Sequence, residues 1–190
     1  MIIGLLLAAG GGRRFGSQKL AARVHGVPIV ASAARSLATL VDKMIVVVGS
    51  ESRAVIDALD GIDATFVENP RWADGLSTSL RLGVAAAPNE TKAIVVALGD
   101  QPGIDAAVIR KVVARWRETG CPIVSTRYRG SRGHPVLLGC SVFPEVAAIS
   151  GDVGARSLIE RDPSRVEVVD IDADAPPDVD TPGDLAALDA

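Results

Sequence analysis

The residues best suited to chemistry stand near the start of the chain, in Leu7-Ala8-Ala9-Gly10-Gly11-Gly12-Arg13-Arg14-Phe15-Gly16-Ser17-Gln18-Lys19. Four glycines within seven positions let the backbone turn sharply and bring its N–H groups close to a ligand. Successive amides in such a turn form an anion-binding concavity. Arg13 and Lys19 add positive charge where the oxygens of a triphosphate would sit. The chemistry indicated is the binding and charge neutralisation of phosphate. Neither common phosphate motif is present: Leu20 follows Lys19 where a Walker loop needs Ser or Thr, and Phe15 stands where a dinucleotide fingerprint anchored on Gly10 and Gly12 needs its last glycine.

A second group is acidic. Asp100, in Gly99-Asp100-Gln101-Pro102, follows an apolar run, and ligands of open α/β sheets bind at the carboxyl ends of strands. A carboxylate there suits Mg²⁺, which takes one or two carboxylates and completes its shell with phosphate oxygens and water. A turn-forming aspartate before Pro102 is the plainer alternative. Asp180 is the second candidate ligand, with Asp178 able to replace it; an acidic residue beside a helix start is also favoured by the helix dipole alone. Gly75-Leu76-Ser77-Thr78-Ser79 opens a helix, and its hydroxyls suit either capping or ligand contact. His134 follows the basic stretch Arg127-Tyr128-Arg129-Gly130-Ser131-Arg132-Gly133, which reads as a phosphate site or as a solvated hairpin.

The elements that must position these residues alternate. Short apolar runs at 2–8, 44–48, 93–98, 122–125, 136–138 and 166–171 predict strands, and the first three have no polar face. Strands covered on both sides read this way. Helical patterns occupy 27–40, 53–59, 76–87, 106–117, 154–161 and 182–188, the last with Thr181 as N-cap and Pro182 at the first helical position. Strand–helix alternation predicts βαβ units and a Rossmann-like three-layer α/β/α sandwich with a mostly parallel sheet. At 190 residues a single domain over 1–190 is expected.

Composition narrows the partners. The formal net charge is -3 and aromatic residues make up 3%, so neither a general nucleic-acid binder nor a base-stacking platform is expected. Two cysteines, Cys121 and Cys140, cannot build a disulfide framework. The apolar opening lacks the basic start of a signal peptide, and no run reaches the roughly 18 apolar residues of a membrane span. A soluble, cytoplasmic protein that binds neither nucleic acid nor membrane is the expectation.

The opening loop, Leu7-Ala8-Ala9-Gly10-x-Gly12-x-Arg14-x-Gly16-x-x-Lys19-Leu20, resembles the signature of the MobA-like nucleotidyltransferases. Asn69-Pro70-x-Trp72-x-x-Gly75-Leu76-Ser77-x-Ser79-Leu80, Gly99-Asp100-Gln101-Pro102, Gly133-His134-Pro135-Val136, Gly151-Asp152-x-Gly154-Ala155-Arg156 and Asp178-Val179-Asp180-Thr181-Pro182-x-Asp184-Leu185 extend the resemblance over nearly the whole chain. They are most similar to the molybdenum cofactor cytidylyltransferases. The resemblance implies the fold of the nucleotide-diphospho-sugar transferases and transfer of CMP from CTP to a phosphorylated pterin, with release of pyrophosphate. It implies Lys19, Arg13 and Asp100 as catalytic residues, and Asp100 with Asp180 as ligands of Mg²⁺ or Mn²⁺. Nucleotide contacts would come from Leu7, Ala8, Ala9, Gly10, Gly11, Gly12, Arg13, Lys19, Gly75, Ser77 and Ser79. Acceptor contacts would come from Gln101, Pro102, His134, Gly151, Asp152 and Gly154. A molybdenum hydroxylase apoenzyme is an implied partner. GTP as donor, another phosphorylated acceptor, or a flavin- or nicotinamide-linked reductase of the same subgroup are the alternatives.

Overall fold

The computed structural model describes residues 1–10, 15, 19–49 and 52–189. In chain order the elements are β1 (Ile2–Ala8), a two-strand hairpin of β2 (Arg23–Val24) and β3 (Val27–Pro28), α1 (Ile29–Ala38), β4 (Lys43–Val48), α2 (Ser52–Ala58), β5 (Thr65–Glu68) and α3 (Leu76–Ala85). There follow β6 (Ala93–Leu98), α4 (Ala106–Thr119), β7 (Ile123–Tyr128), β8 (Ser131–Gly139), α5 (Phe143–Ala148), α6 (Arg156–Arg161), β9 (Val166–Asp170) and α7 (Pro182–Leu188). Seven strands form one sheet in the order β5-β4-β1-β6-β8-β7-β9. All neighbours are parallel except those of β8, which runs antiparallel to both β6 and β7.

Every residue of β1 is buried, because the strand has a helix layer on each side. Its side chains alternate between two cores. Ile2, Leu6 and Ala8 pack with residues of α1, α2 and α4, whereas Ile3, Leu5 and Leu7 pack with residues of α3, α5 and α6. Contact between α3 and β1 depends on Gly83, where a Cβ would come within 2.3 Å of Leu5 Cδ1.

One expected boundary moves, and β5 and α5 have no counterpart among the expected elements. The helix placed at 27–40 begins at Ile29, since Val27 and Pro28 are extended and pair with Val24 and Arg23. A residue before proline is disfavoured in the α region, which holds Val27 out of the helix. Strand β5 gives no continuous apolar run because it lies at the sheet edge, its residues exposed or half-buried. Helix α5, six residues long with Pro144 in its first turn, lies outside the helical patterns of the sequence. Among the described residues no helix is long and apolar enough to cross a membrane.

Candidate active site

Lys19 opens a short 3-10 turn at the end of the glycine-rich loop, and Asp100 lies just beyond β6, the strand paired with β1. Both therefore reach the carboxyl edge of the central strands. Lys19 Nζ donates to Asp100 Oδ2 at 2.9 Å and to Asp180 Oδ1 at 2.7 Å. The lysine side chain is 10% exposed, against 29% for Asp100 and 50% for Asp180. Burial alone pulls the ammonium pKa down, but the charges and hydrogen bonds of the two carboxylates outweigh it and hold the pKa above the ordinary lysine value.

The segment carrying Asp180 is fixed to the end of β6. Val179 is fully buried and its N–H donates to the Asp100 carbonyl at 3.1 Å. Gln101 Nε2 donates to Asp178 Oδ1 at 2.8 Å. Burial raises the Asp178 pKa, the Gln101 hydrogen bond opposes the rise, and the neighbouring Asp100 and Asp180 charges add to it. Asp180 is followed by the capping box of α7: Thr181 Oγ1 accepts from Asp184 N–H, and the Asp184 carboxylate accepts from Thr181 N–H.

Beside this cluster lies a cleft of about 510 Å³. Its walls include Leu7, Ala9 and Gly10 from β1 and the loop after it, Trp72–Leu76 and Ser79 from the α3 entry, and Leu98, Asp100 and Asp152. Leu7 and Leu98 are register partners on β1 and β6, so they form adjacent parts of the floor. The donor set at its edge suits a hard divalent cation: two carboxylates, Asp100 and Asp180, converge on the Lys19 ammonium. Among the described residues no group of three or more His, Cys, Asp or Glu side chains forms a closed metal site. A cation here would take its remaining ligands from phosphate and water, as Mg²⁺ commonly does.

Leu7, Ala9, Gly10, Gly75, Ser79, Asp100 and Asp152 thus line one cleft, with Lys19 and Asp180 joined to it through Asp100. Gly11, Gly12 and Arg13 lie outside the described residues. Ala8 turns to the other face of the sheet, as strand alternation requires, and packs in the core with α1. Ser77, in the first turn of α3, is fully buried with its hydroxyl unpartnered, and it is not part of the cleft wall. Gln101 lies behind Asp100, and the Pro102 carbonyl accepts from Ser32 Oγ of α1 at 2.7 Å.

The segment from Gly151 to Gly154, expected at the acceptor, packs on the start of α3. Gly75 has φ +107, and a Cβ on it would lie 2.6 Å from the Gly151 carbonyl oxygen. The helix has no side-chain cap of its own; instead Asp152 Oδ1 accepts from Leu76 N–H at 3.2 Å and the Gly151 carbonyl from Ser77 N–H at 3.3 Å. The basic stretch before His134 is the hairpin between β7 and β8. Arg127 binds both oxygens of Asp170 at 2.6 and 2.9 Å, and Arg129 pairs with Asp172 at 2.9 Å. These two arginines are already matched to carboxylates. Burial pushes the His134 imidazole down to about 4, with the Asp100 charge opposing the shift, so it is neutral near pH 7. Asp74, Leu76 and Leu98 are wall residues that the sequence reading did not single out. For Leu98 a signal existed, since its place in β6 pairs it with Leu7.

A mostly parallel sheet with helices on both faces, and a lysine and two aspartates gathered at its carboxyl edge, define a nucleotidyltransferase-type domain. A family model, the MobA-like NTP transferase domain, matches residues 4–166, and the chain belongs to that family. It is 32% identical over 191 residues to nicotine blue oxidoreductase of Paenarthrobacter nicotinovorans, covering 95% of this chain and 92% of the relative. It is 30% identical over 172 residues to the purine catabolism protein PucB of Bacillus subtilis (strain 168), covering 84% and 80%. The crystal structure of Rv0371c from Mycobacterium tuberculosis H37Rv superposes with a TM-score of 0.85 at 30% identity over 98% of this chain and 96% of that one. A further structure of Rv0371c is a complex with manganese, with a TM-score of 0.81 at 29% identity.

Proposed function

We propose that this chain transfers CMP from CTP to the terminal phosphate of a molybdopterin-type cofactor and releases pyrophosphate, acting as a single cytoplasmic domain. The observation that carries this reading is the Lys19 ammonium held between Asp100, a wall residue of the cleft, and Asp180. An oxygen of the acceptor phosphate attacks the α-phosphorus; its new P–O bond forms as the bond to the bridging oxygen of pyrophosphate breaks. A phosphate monoester is already a dianion near pH 7, so no protein base is required, and neutral His134 serves binding. Lys19 stabilises charge on the phosphates, and the backbone at Ala9 and Gly10 brings them against the cleft floor. Such positioning and electrostatic stabilisation are what phosphoryl transfer chiefly needs. Asp100 and Asp180 would hold Mg²⁺ or Mn²⁺, which when bound neutralises phosphate charge; manganese in the Rv0371c complex supports this.

Donor choice rests on Ala8-Ala9-Gly10, the form that resembles the cytidylyl subgroup. A molybdenum hydroxylase apoenzyme would receive the product. Pyrophosphate release is to be measured for the four NTPs against molybdopterin-type and sugar-phosphate acceptors. The expected result is release with CTP and the pterin phosphate; no release with any pair overturns the proposal. A redox reading draws on one observation, the name of the Paenarthrobacter relative. Consumption of reduced nicotinamide by the purified chain, without pyrophosphate release, would replace the transferase reading with that one.

A further inference from the structure

The cleft wall at Trp72–Leu76 is a connection between β5 and α3, and one buried side chain behind it ties both of its ends. Asn69 is 3% exposed and does not line the cleft. Its Nδ2 donates to Thr78 Oγ1 and to Ser79 Oγ, each at 2.9 Å, and its Oδ1 accepts from Arg71 N–H at 2.9 Å. Thr78 Oγ1 lies 2.8 Å from the Gly75 carbonyl and 3.0 Å from that of Arg71, so its one proton is directed to a backbone acceptor. The hydroxyl must therefore accept from residue 69, which a carboxylate of the same shape cannot satisfy. The Asn69 backbone is itself anchored, its N–H donating to the Val48 carbonyl of β4 at 2.8 Å. The amide thus fixes Arg71, just ahead of the wall, the first turn of α3 and Ser79 of the wall to the rigid sheet.

We infer that Asn69 is a positioning residue for nucleotide discrimination: it sets the wall that faces the nucleoside end of the substrate, while the phosphate end is held by Lys19 and the aspartates. This rests on the transferase reading for its substrate, but not for its geometry. The test uses the full chain with Trp116→Phe, which leaves Trp72 as the reporting tryptophan of the two in the sequence. Asn69→Asp and the milder Thr78→Val are each compared with that parent. Acrylamide quenching of Trp72 is expected to rise about twofold as the wall loosens. Discrimination between CTP and the other NTPs, as a ratio of kcat/KM values, is expected to fall about tenfold, as loss of a buried hydrogen-bond network predicts. Affinity for magnesium pyrophosphate, which reads the phosphate end alone, is expected to stay within twofold of the parent. Asn69→Ala combined with Thr78→Val should be no worse than Asn69→Ala alone, since both act through one network. Unchanged quenching and discrimination in a variant that melts like the parent overturns the inference. So does an equal loss for all NTPs and pyrophosphate. If the parent turns over no nucleotide, the transferase reading falls, and Trp72 quenching by itself decides whether Asn69 holds the wall.

Discussion

Lys19 contacts both candidate cation ligands, so it has two opposed effects. Lys19→Met should lower turnover by about 10²–10³, the usual loss when a positioned stabiliser of transition-state charge is removed. Without nucleotide the same variant should bind Mn²⁺ more tightly, by about tenfold or more, because a positive charge at contact distance from two carboxylates has gone. Electron paramagnetic resonance of free Mn²⁺ measures this apart from activity; weaker binding would show that Lys19 organises the carboxylates rather than competing for them. The two neighbouring aspartates should separate as well. Asp178 is engaged by Gln101 and Asp180 by Lys19. Asp178→Asn, whose amide oxygen can still accept from Gln101, should leave Mn²⁺–nucleotide affinity within about threefold, whereas Asp180→Asn should cost about tenfold or more. Calorimetric titration of both variants checks this, and the reverse order would make Asp178 the ligand. His134 adds a pH effect. Its pKa lies near 4 in the folded chain against 6.5 when free, so the unfolded chain binds the extra proton between those values. Stability from this group is complete above pH 6.5 and is lost as pH falls toward 4. Melting curves of His134→Gln should be flatter than the parent's in that window.

At the level of elements, the start of α3 is held from outside. Gly75 allows the backbone to turn at positive φ against Gly151, and Asp152 supplies the cap that the helix lacks. Gly75→Ala adds a Cβ 2.6 Å from a carbonyl oxygen in a conformation that L residues avoid, so a loss of at least ~2 kcal/mol is expected in denaturant unfolding. Asp152→Ala should cost ~1 kcal/mol, as loss of a helix cap does. If capping is its whole role, KM for the acceptor will not change; a large rise in KM with unchanged stability would return Asp152 to the acceptor site. Such a contact is not legible along the chain, because residues 75 and 152 come together only once α6 and α3 share the same face of the sheet.

For the molecule as a whole, the two cores meet across β1, and α3 approaches this strand closely at Gly83. Gly83→Ala should destabilise the chain by ~1–3 kcal/mol by overpacking against Leu5, and Leu5→Val in the same chain should recover part of that loss. Simple additivity of the two changes in unfolding free energy would show that α3 adjusts its position instead.

The buried strands were readable as apolar runs: β1 and β6 match the expected bounds, and α7 follows its Thr-Pro start. Edge strand β5 and the antiparallel sense of β8 were not, since one has no continuous apolar run and no local feature reports strand direction. The local pattern determined which residues are chemically able: a cation after a glycine-rich turn, a carboxylate after a buried strand, a family signature spread over short motifs. The tertiary structure alone decided which of them meet. It placed Lys19 between carboxylates 81 and 161 positions away and turned Ser77 into the core. It matched Arg127 to Asp170 and Arg129 to Asp172, and it made Asp152 a cap. Side-chain type is a local property of the chain, but proximity depends on strand order and helix packing, which bring distant segments to one edge of the sheet.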